Sequence, residues 1–376
     1  MIETKINDSF LDFLNQKTLF YIKIEYDTIK RSWAILKNHI KLPYVIHIVG
    51  TNGKGTTGRF IATFLRQQNK QVLHYTSPHI LKFNERIWIN GKNATEEQLE
   101  NAHQQIIKIL PNNLLFKLTY FEYTTLLALF LSSGFDFIVL EAGLGGEFDA
   151  TNVVENNLTV VPSIGLDHKE FLGETIVEIA STKLRSCDKC YIFGDDFPKE
   201  VIGLKKTILK NKVEIPYLKD VNFNFPKHLP TYIIKNATLA LSVMQYLGLY
   251  KDDFFLEVLE GRCQKIKENI TIDVGHNPLA ANVILEEFKN KKITLIYNSY
   301  KDKDFKEILT ILKPIIKEVL VIQCDDQRMI DKNILLNTFK ELSLKADIFK
   351  FETMKKEEEY LVFGSFKVVE KFLSNF

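Results

Sequence analysis

Short runs that are apolar at nearly every position alternate, along the first half of the chain, with stretches whose apolar residues recur every three or four positions. "YVIHIVG" (44–50), "QVLHYT" (71–76), "FDFIVLEA" (135–142) and "LTVVPSIG" (158–165) are runs of the first kind. Helical spacing is read in Ile29, Trp33, Leu36 and Ile40, in "TTGRFIATFLRQQ" (56–68), over about 95–110 and 120–133, from about Glu174, and over about 231–247 with Gly248 as its C-cap. A short "RIWING" carries an Asn-Gly turn, and 195–230 gives no clear pattern. The alternation restarts at "NITIDVG" (269–275), with a helix after Pro278. It continues through "KITLIYN", a helix from about Asp304, "EVLVIQC", a helix near 333–342, "YLVFGS" and a last helix. Strands buried on both faces read as unbroken apolar runs, so the pattern predicts an α/β protein with parallel sheets covered by helices. It divides into a larger domain, 1–264, and a smaller Rossmann-like α/β domain, 265–376, hinged near Gly261 to Ile266.

The length of 376 residues agrees with two cores, and 45% apolar residues are enough to fold nearly all of it. Lys and Arg number 49 against 47 Asp and Glu, a balance that disfavours an extended nucleic-acid or anionic-membrane surface. No apolar run approaches the ~20 residues of a membrane span, and "MIETKINDSFLDFL" lacks the basic-then-apolar order of a signal peptide. A cytoplasmic location is expected. Of the four cysteines, Cys187 and Cys190 form a single C-x-x-C and Cys263 and Cys324 stand alone; they read as ordinary thiols rather than a zinc or disulfide framework.

In open α/β sheets, ligands bind beyond the carboxyl ends of the strands. The loops expected there are "GTNGKGTT", "TSPH", "EAGLGG" and "GLDH". The first lies between strand and helix but misses the strict phosphate-loop spelling, which needs glycine where Ile48 stands and a hydroxyl where Gly55 stands. Its physics is nonetheless complete. Gly50, Gly53 and Gly55 allow inward-turned amides, Lys54 supplies a flexible ammonium, and Thr56 or Thr57 opens the helix. Glu141, at the end of an apolar strand, suits a Mg²⁺ site, which favours a carboxylate beside substrate phosphates. On its own, His168 reads as a loop histidine before it reads as a ligand.

"GTNGKGTT" resembles the variant loop of the Mur ligase superfamily, and specifically of folylpolyglutamate synthases and dihydrofolate synthases. Further similar segments follow in the family's order: "YTSPHILKFNERIWING", "TYFEYTTLLALF", "IVLEAGLGGEFDATNVV", "SIGLDHKEFLGETIVEIASTK", "GRCQKI", "DVGHNP" and "YKDKD", from about residue 45 to 305. The resemblance implies a P-loop ATPase domain of the Mur central type followed by a glutamate-ligase domain. ATP would be held by Gly50, Thr51, Asn52, Gly53, Lys54, Gly55 and Thr56, with Asn236, Arg262 and Asp273. Ser77, Glu141 and His168 would be metal ligands for one or two Mg²⁺ ions, and a monovalent cation would be admitted. Lys183, in "STKLRS", matches a lysine that is carbamylated in the family; unmodified, it would pair with a phosphate or an acid. His276 joins Lys54, Glu141, His168 and Lys183 as a catalytic candidate. Phe121, Glu122 and Asp149 would approach the pteroate or folate.

The implied activity is an ATP-dependent, ADP-producing ligase that activates a carboxylate as an acyl phosphate and joins it to L-glutamate. The acceptor would be dihydropteroate, a folate already carrying glutamate, or both, handled by a monomer acting on small molecules. A Mur-type ligase on another carboxylate, and a P-loop switch that hydrolyses ATP to change shape, stay open as alternatives. Relatives usually carry arginine where Glu147 stands, which reverses a charge beside the acceptor.

Overall fold

The computed structural model describes residues 8–18 and 26–376. The chain divides into two compact units: Met1–Ile164 with Leu172–Lys227 and Ile233–Glu257, and Gly165–Phe171 with His228–Tyr232 and Val258–Phe376. The "GLDH" loop, although it follows a strand of the first unit, therefore belongs to the second.

The first unit is built on an eight-stranded sheet. Its strands are β1 (Tyr44–Ile48), β2 (Val72–Tyr75), β3 (Ile87–Ile89), β4 (Lys92–Asn93), β5 (Phe137–Glu141), β6 (Leu158–Val161), β7 (Cys190–Phe193) and β8 (Val213–Glu214), in the order β4-β3-β2-β5-β1-β6-β7-β8. β1 lies between β5 and β6 and is parallel to both, with Ile48 opposite Glu141 and Val160. The loops after β1 and β5 thus leave one edge side by side. The helix Lys54–Gln67 is buried from Gly55 to Leu65. On another side Phe10, Phe13, Leu36, Leu73, Tyr75, Tyr123 and Leu126 share a core; burying each such side chain is worth about 1.5–3 kcal/mol.

The second unit carries β9 (Gln264–Lys267), β10 (Ile270–Asp273), β11 (Ile293–Tyr297), β12 (Ile316–Val321), β13 (Ala346–Ile348) and β14 (Tyr360–Phe363), ordered β13-β12-β11-β14-β10-β9. Its core includes Ile284, Leu295, Tyr297, Leu309, Val319, Phe339 and Phe363.

The α/β expectation holds for both units, with three corrections. Neither sheet is wholly parallel: β3 runs against β2, β4 against β3, and β9 against β10. Residues 195–230, unclear in sequence, contain the helix Lys199–Ile208 and the edge strand β8, with β7 just before them. Ile40 is not on the helix with Ile29; that helix ends at Leu36, and the Asn38 amide bonds back to the Ala34 and Ile35 carbonyls. Cys187 is buried, its thiol pushed up to about 11 by that burial, and it donates to the Cys190 carbonyl.

Candidate active site

Gly53 caps the buried helix in the left-handed region, at φ +81°, which favours glycine, and a Cβ there would come within 2.6 Å of the Asn236 amide oxygen. The loop from Gly50 is stapled from β6's side by Ser163, whose carbonyl accepts from Thr51 N (2.8 Å) and whose hydroxyl bonds Asn52 N (3.2 Å) and Asn52 O (3.0 Å). The Thr51 and Asn52 amides are thereby engaged within the loop. The first-turn amides of Lys54, Gly55 and Thr56 have no side-chain cap, which leaves them as the anion-facing set.

Two ammonium groups converge on one carbonyl of this loop. Lys54 Nζ lies 3.2 Å from Gly50 O and from Thr51 O, and Lys183 Nζ donates to Gly50 O at 3.0 Å. Lys183 is only 4% exposed. Unmodified, it meets a backbone carbonyl of the loop. Two cations on one neutral acceptor, beside uncapped helix amides, form a pocket of positive potential that an anion would relieve.

Glu141, buried at the end of β5, accepts from the Thr76 hydroxyl and from Ser77 N (3.2 Å), both on Oε2. Its Oε1 takes no donor among the described residues. No group of three or more His, Cys, Asp or Glu that could hold a metal occurs among them either. A hard cation that uses one carboxylate oxygen, a hydroxyl, waters and substrate phosphates fits this donor set, and Mg²⁺ binds in that way. Ser77 and Glu141 are thus neighbours in the first unit, whereas His168 lies with the second.

Thr119 and Glu122 form a capping box at the helix Tyr120–Leu131, Glu122 Oε2 accepting from Thr119 N and its hydroxyl at 2.9 Å each. Between them Phe121 stacks on Tyr75 (centroids 5.8 Å apart) and lies over Gly143, where a Cβ would meet its ring at 2.6 Å. Asp149 is buried and accepts from Leu144 N (2.7 Å), Thr151 N (2.9 Å) and the Thr151 hydroxyl (2.5 Å), so it shapes the "GLGGEFD" loop from inside. Burial raises its carboxyl, partly offset by those bonds and by Lys54. Glu147 pairs with Arg185 at 3.2 Å, and Glu147 N donates to Thr182 O (2.8 Å), fastening the loop to the helix that carries Lys183.

In the second unit the Asp273 carboxylate is occupied by its own surroundings: Gly275 N (2.7 Å) on Oδ1, Cys263 N (2.8 Å) and the Tyr232 hydroxyl (3.3 Å) on Oδ2. Burial raises it, and Arg262 and these donors lower it. It holds the turn in which Arg262 sits, with Arg262 Cζ 5.2 Å above the Phe366 ring. His276 has Nδ1 3.1 Å from the Val274 carbonyl, and its Nε2 is 3.7 Å from Asp167. Asp167 also bonds Lys303 Nζ at 2.7 Å and Asn277 Nδ2 at 3.1 Å, and lies 3.9 Å from His168 Nε2. Burial would raise this carboxyl, but His168, His276 and Lys303 together hold it far below the usual range.

Sequence reasoning passed over Asp167, Asn277, Lys303, Thr76 and Ser163, although all five stand in quoted segments: Ser163 and Asp167 in "SIGLDH", Asn277 in "DVGHNP", Lys303 in "YKDKD" and Thr76 in "YTSPH". The signal was their position inside those motifs; their roles come from contacts across 65 to 136 residues.

No protein-family model matches the chain. It is 30% identical over 431 aligned positions to the dihydrofolate synthase/folylpolyglutamate synthase of Haemophilus influenzae, covering 96% of each. The crystal structure of Helicobacter pylori folylpolyglutamate synthetase superposes with a TM-score of 0.75 at 36% identity over 97% of each chain. A bifunctional folylpolyglutamate synthase/dihydrofolate synthase solved with Mn, AMPPNP and L-glutamate bound matches with a TM-score of 0.81 at 25% identity over 98% of each chain.

Proposed function

The chain belongs to the dihydrofolate synthase/folylpolyglutamate synthase family, and we propose on that footing that it is an ATP-dependent ligase joining L-glutamate to dihydropteroate, to folyl-(poly)glutamate, or to both. The observation that carries the reading is the convergence of Lys54 and Lys183 on Gly50 O beside uncapped helix amides, one strand away from Glu141. Residues 1–264 act as the ATP-binding domain and 265–376 as the glutamate-ligase domain.

The outer phosphates of ATP rest on the amides of Lys54, Gly55 and Thr56, with the Lys54 ammonium drawn off the loop carbonyls onto the phosphate oxygens. Asn236 packs on Gly53 and keeps the loop in its left-handed turn. Arg262 is a further phosphate clamp, a role suited to a planar guanidinium, and Asp273 keeps its turn in place. Ser77, Glu141 and His168 would be the ligands of a divalent ion, and the ion would supply charge neutralisation to the phosphoryl oxygens. A carbamate on Lys183 would reverse the charge next to Gly50; it belongs to the same proposal, as does a monovalent cation.

Phe121, Glu122 and Asp149 frame the acceptor, whose flat heterocycle suits an aromatic wall backed by acids. An acceptor carboxylate oxygen attacks the γ-phosphorus and the bond to ADP breaks, giving an acyl phosphate. The glutamate amine then attacks the acyl carbon, phosphate leaves, and the amide forms. His276, with its proton on Nδ1 against Val274 O, takes the amine proton on Nε2, and Asp167 at 3.7 Å steadies the resulting charge. Positioning and electrostatics supply the rate enhancement.

The test is ADP release measured with and without each substrate. Turnover that requires both L-glutamate and a pteroate or folate supports the ligase. ADP release indifferent to glutamate overturns it in favour of an ATP-driven switch. Dihydropteroate and tetrahydrofolate assayed side by side separate the two acceptors.

A further inference from the structure

Most of the chain's arginines answer a carboxylate. Arg31 pairs with Asp27, Arg59 with Glu257, Arg185 with Glu147 and Arg328 with Asp326. Arg66 is solvent-exposed. Arg262 and Arg86 are the two half-buried arginines that meet no carboxylate within ion-pair distance among the described residues. Arg262 already has an anion to bind in the reading above; Arg86, in the first unit, does not.

Arg86 is held on two sides. Its Nε donates to His79 Nδ1 at 2.8 Å, and its Cζ lies 5.2 Å above the Tyr120 ring. Both restraints act on the stem and plane of the guanidinium and leave the paired terminal nitrogens without a hydrogen-bond partner among the described residues. The backbone around it is equally fixed. Arg86 O accepts from Thr76 N at 2.9 Å, one residue from Ser77, and Glu85 ties down the amides of Ile80, Leu81 and Lys82. Its charge acts on the hydroxyls of Tyr75 and Tyr120 against the burial that raises them, so it faces the same aromatic wall as Phe121. Leaving a half-buried guanidinium without an anion costs stability, while a planar fork fixed in orientation is the geometry that grips a carboxylate through two parallel hydrogen bonds.

We infer that Arg86 is a specificity-determining residue that binds a carboxylate of the acceptor substrate, oriented for that task by His79 and Tyr120. The inference rests on the ligase reading and deepens it by naming the group that recognises the acceptor's negative charge.

The test compares wild type with Arg86→Ala and Arg86→Lys, measuring KM separately for ATP, L-glutamate and the acceptor, and acceptor affinity by calorimetry without ATP. Losing a charge-assisted pair of hydrogen bonds should raise the acceptor KM and its dissociation constant by about 10- to 100-fold in Arg86→Ala. The KM values of ATP and glutamate should stay within about twofold of wild type. Arg86→Lys, which keeps the charge and loses the fork, should fall between, and it serves where the alanine variant folds poorly. An acceptor KM unchanged in both variants overturns the inference, as does a parallel rise in all three KM values with a lowered melting temperature, which would mark a structural role. Failure of the underlying reading looks different: wild type itself would then release ADP without regard to glutamate.

Discussion

Removing the Asp167 carboxylate should loosen the second unit specifically. Its side chain and that of Lys303 are 9% and 6% exposed, and the two are 2.7 Å apart. Taking away one partner of a buried pair typically costs about 3–5 kcal/mol, because the remaining charge stays desolvated. Lys303 retains Asp302 at 3.5 Å, a more exposed acid, so the lower end of about 3 kcal/mol applies to Asp167→Ala. That corresponds to a loss of roughly 150-fold in amide protection for the strands that exchange by unfolding of the unit. Tryptophan fluorescence is the wrong probe, since the two tryptophans, Trp33 and Trp88, both lie in the first unit. Hydrogen–deuterium exchange with mass spectrometry on peptides covering β10, β11 and β14 reads the right body. Lys303→Met placed on top of Asp167→Ala removes the stranded ammonium and should restore most of the protection. The sign with pH follows from the depressed carboxyl: its contribution is complete above the ordinary aspartate value of about 4 and fades as pH falls below it. The gap between wild type and Asp167→Ala should therefore be widest near neutrality and narrow in acid. Unchanged protection in Asp167→Ala, or a double variant as loose as the single one, would refute the assignment of this pair as the buried counter-charge.

Three other outcomes are expected. Lys54→Ala should abolish turnover and leave the melting temperature where it is, because the Lys54 ammonium contacts only loop carbonyls; ligation near the normal rate would remove it from the phosphate site. Gly143→Ala should push the Phe121 ring off its place, lowering stability by about 1–3 kcal/mol and weakening acceptor binding, and a normal melt with normal acceptor KM would show that the ring yields freely. Lys17 is buried and its ammonium is pushed down to about 8 from 10.5 by that burial, with Glu122 opposing. The folded chain then binds fewer protons there than the unfolded one between those values, so this lysine makes stability rise with pH across that window. Lys17→Met should flatten the rise, as followed by denaturant melts from pH 7 to 10.5.

What the sequence made legible was local. β1, its glycine loop and the helix from Lys54 are consecutive, and each carries its own signal: five apolar-run residues, a left-handed glycine and an amphipathic repeat. β7 and β8 escaped because four and two residues flanked by lysines acquire strand character only by pairing with β6 and with each other. β9 escaped because "QKIK" is half polar and exists as an edge against β10. The same limit governs the site. Lys54, Glu141 and His276 could be named from their motifs, whereas the Ser163 staple and the Asp167 cluster depend on side chains meeting across more than a hundred residues of chain. Glu122 and Asp273 show a further limit. Both were expected to face ligands, and both carboxylates accept backbone and side-chain donors of their own loops, so part of each role is to hold a neighbour in place.

The near-zero net charge of the chain conceals how its charges are placed. The 49 basic residues nearly balance the 47 acidic ones, yet the acids at the strand-end loops are engaged internally. Asp149 is saturated by Leu144 and Thr151, Asp273 by Gly275, Cys263 and Tyr232, and Asp167 serves Lys303 and two imidazoles at once. Lys54 lies on loop carbonyls, and Arg86 and Arg262 are held by a histidine, aromatic rings and a carbonyl where a carboxylate would be the stronger partner. Each unit thus presents cationic side chains at its loops, Lys54 and Arg86 in the first and Arg262 in the second, that meet no carboxylate within ion-pair distance among the described residues. On the ligase reading proposed above, the substrates are all anionic, a nucleoside triphosphate and two carboxylic acids, and would meet those cations on binding. Affinity should accordingly fall with ionic strength for all three substrates, while a neutral amide analogue of the acceptor should bind weakly and show no such dependence.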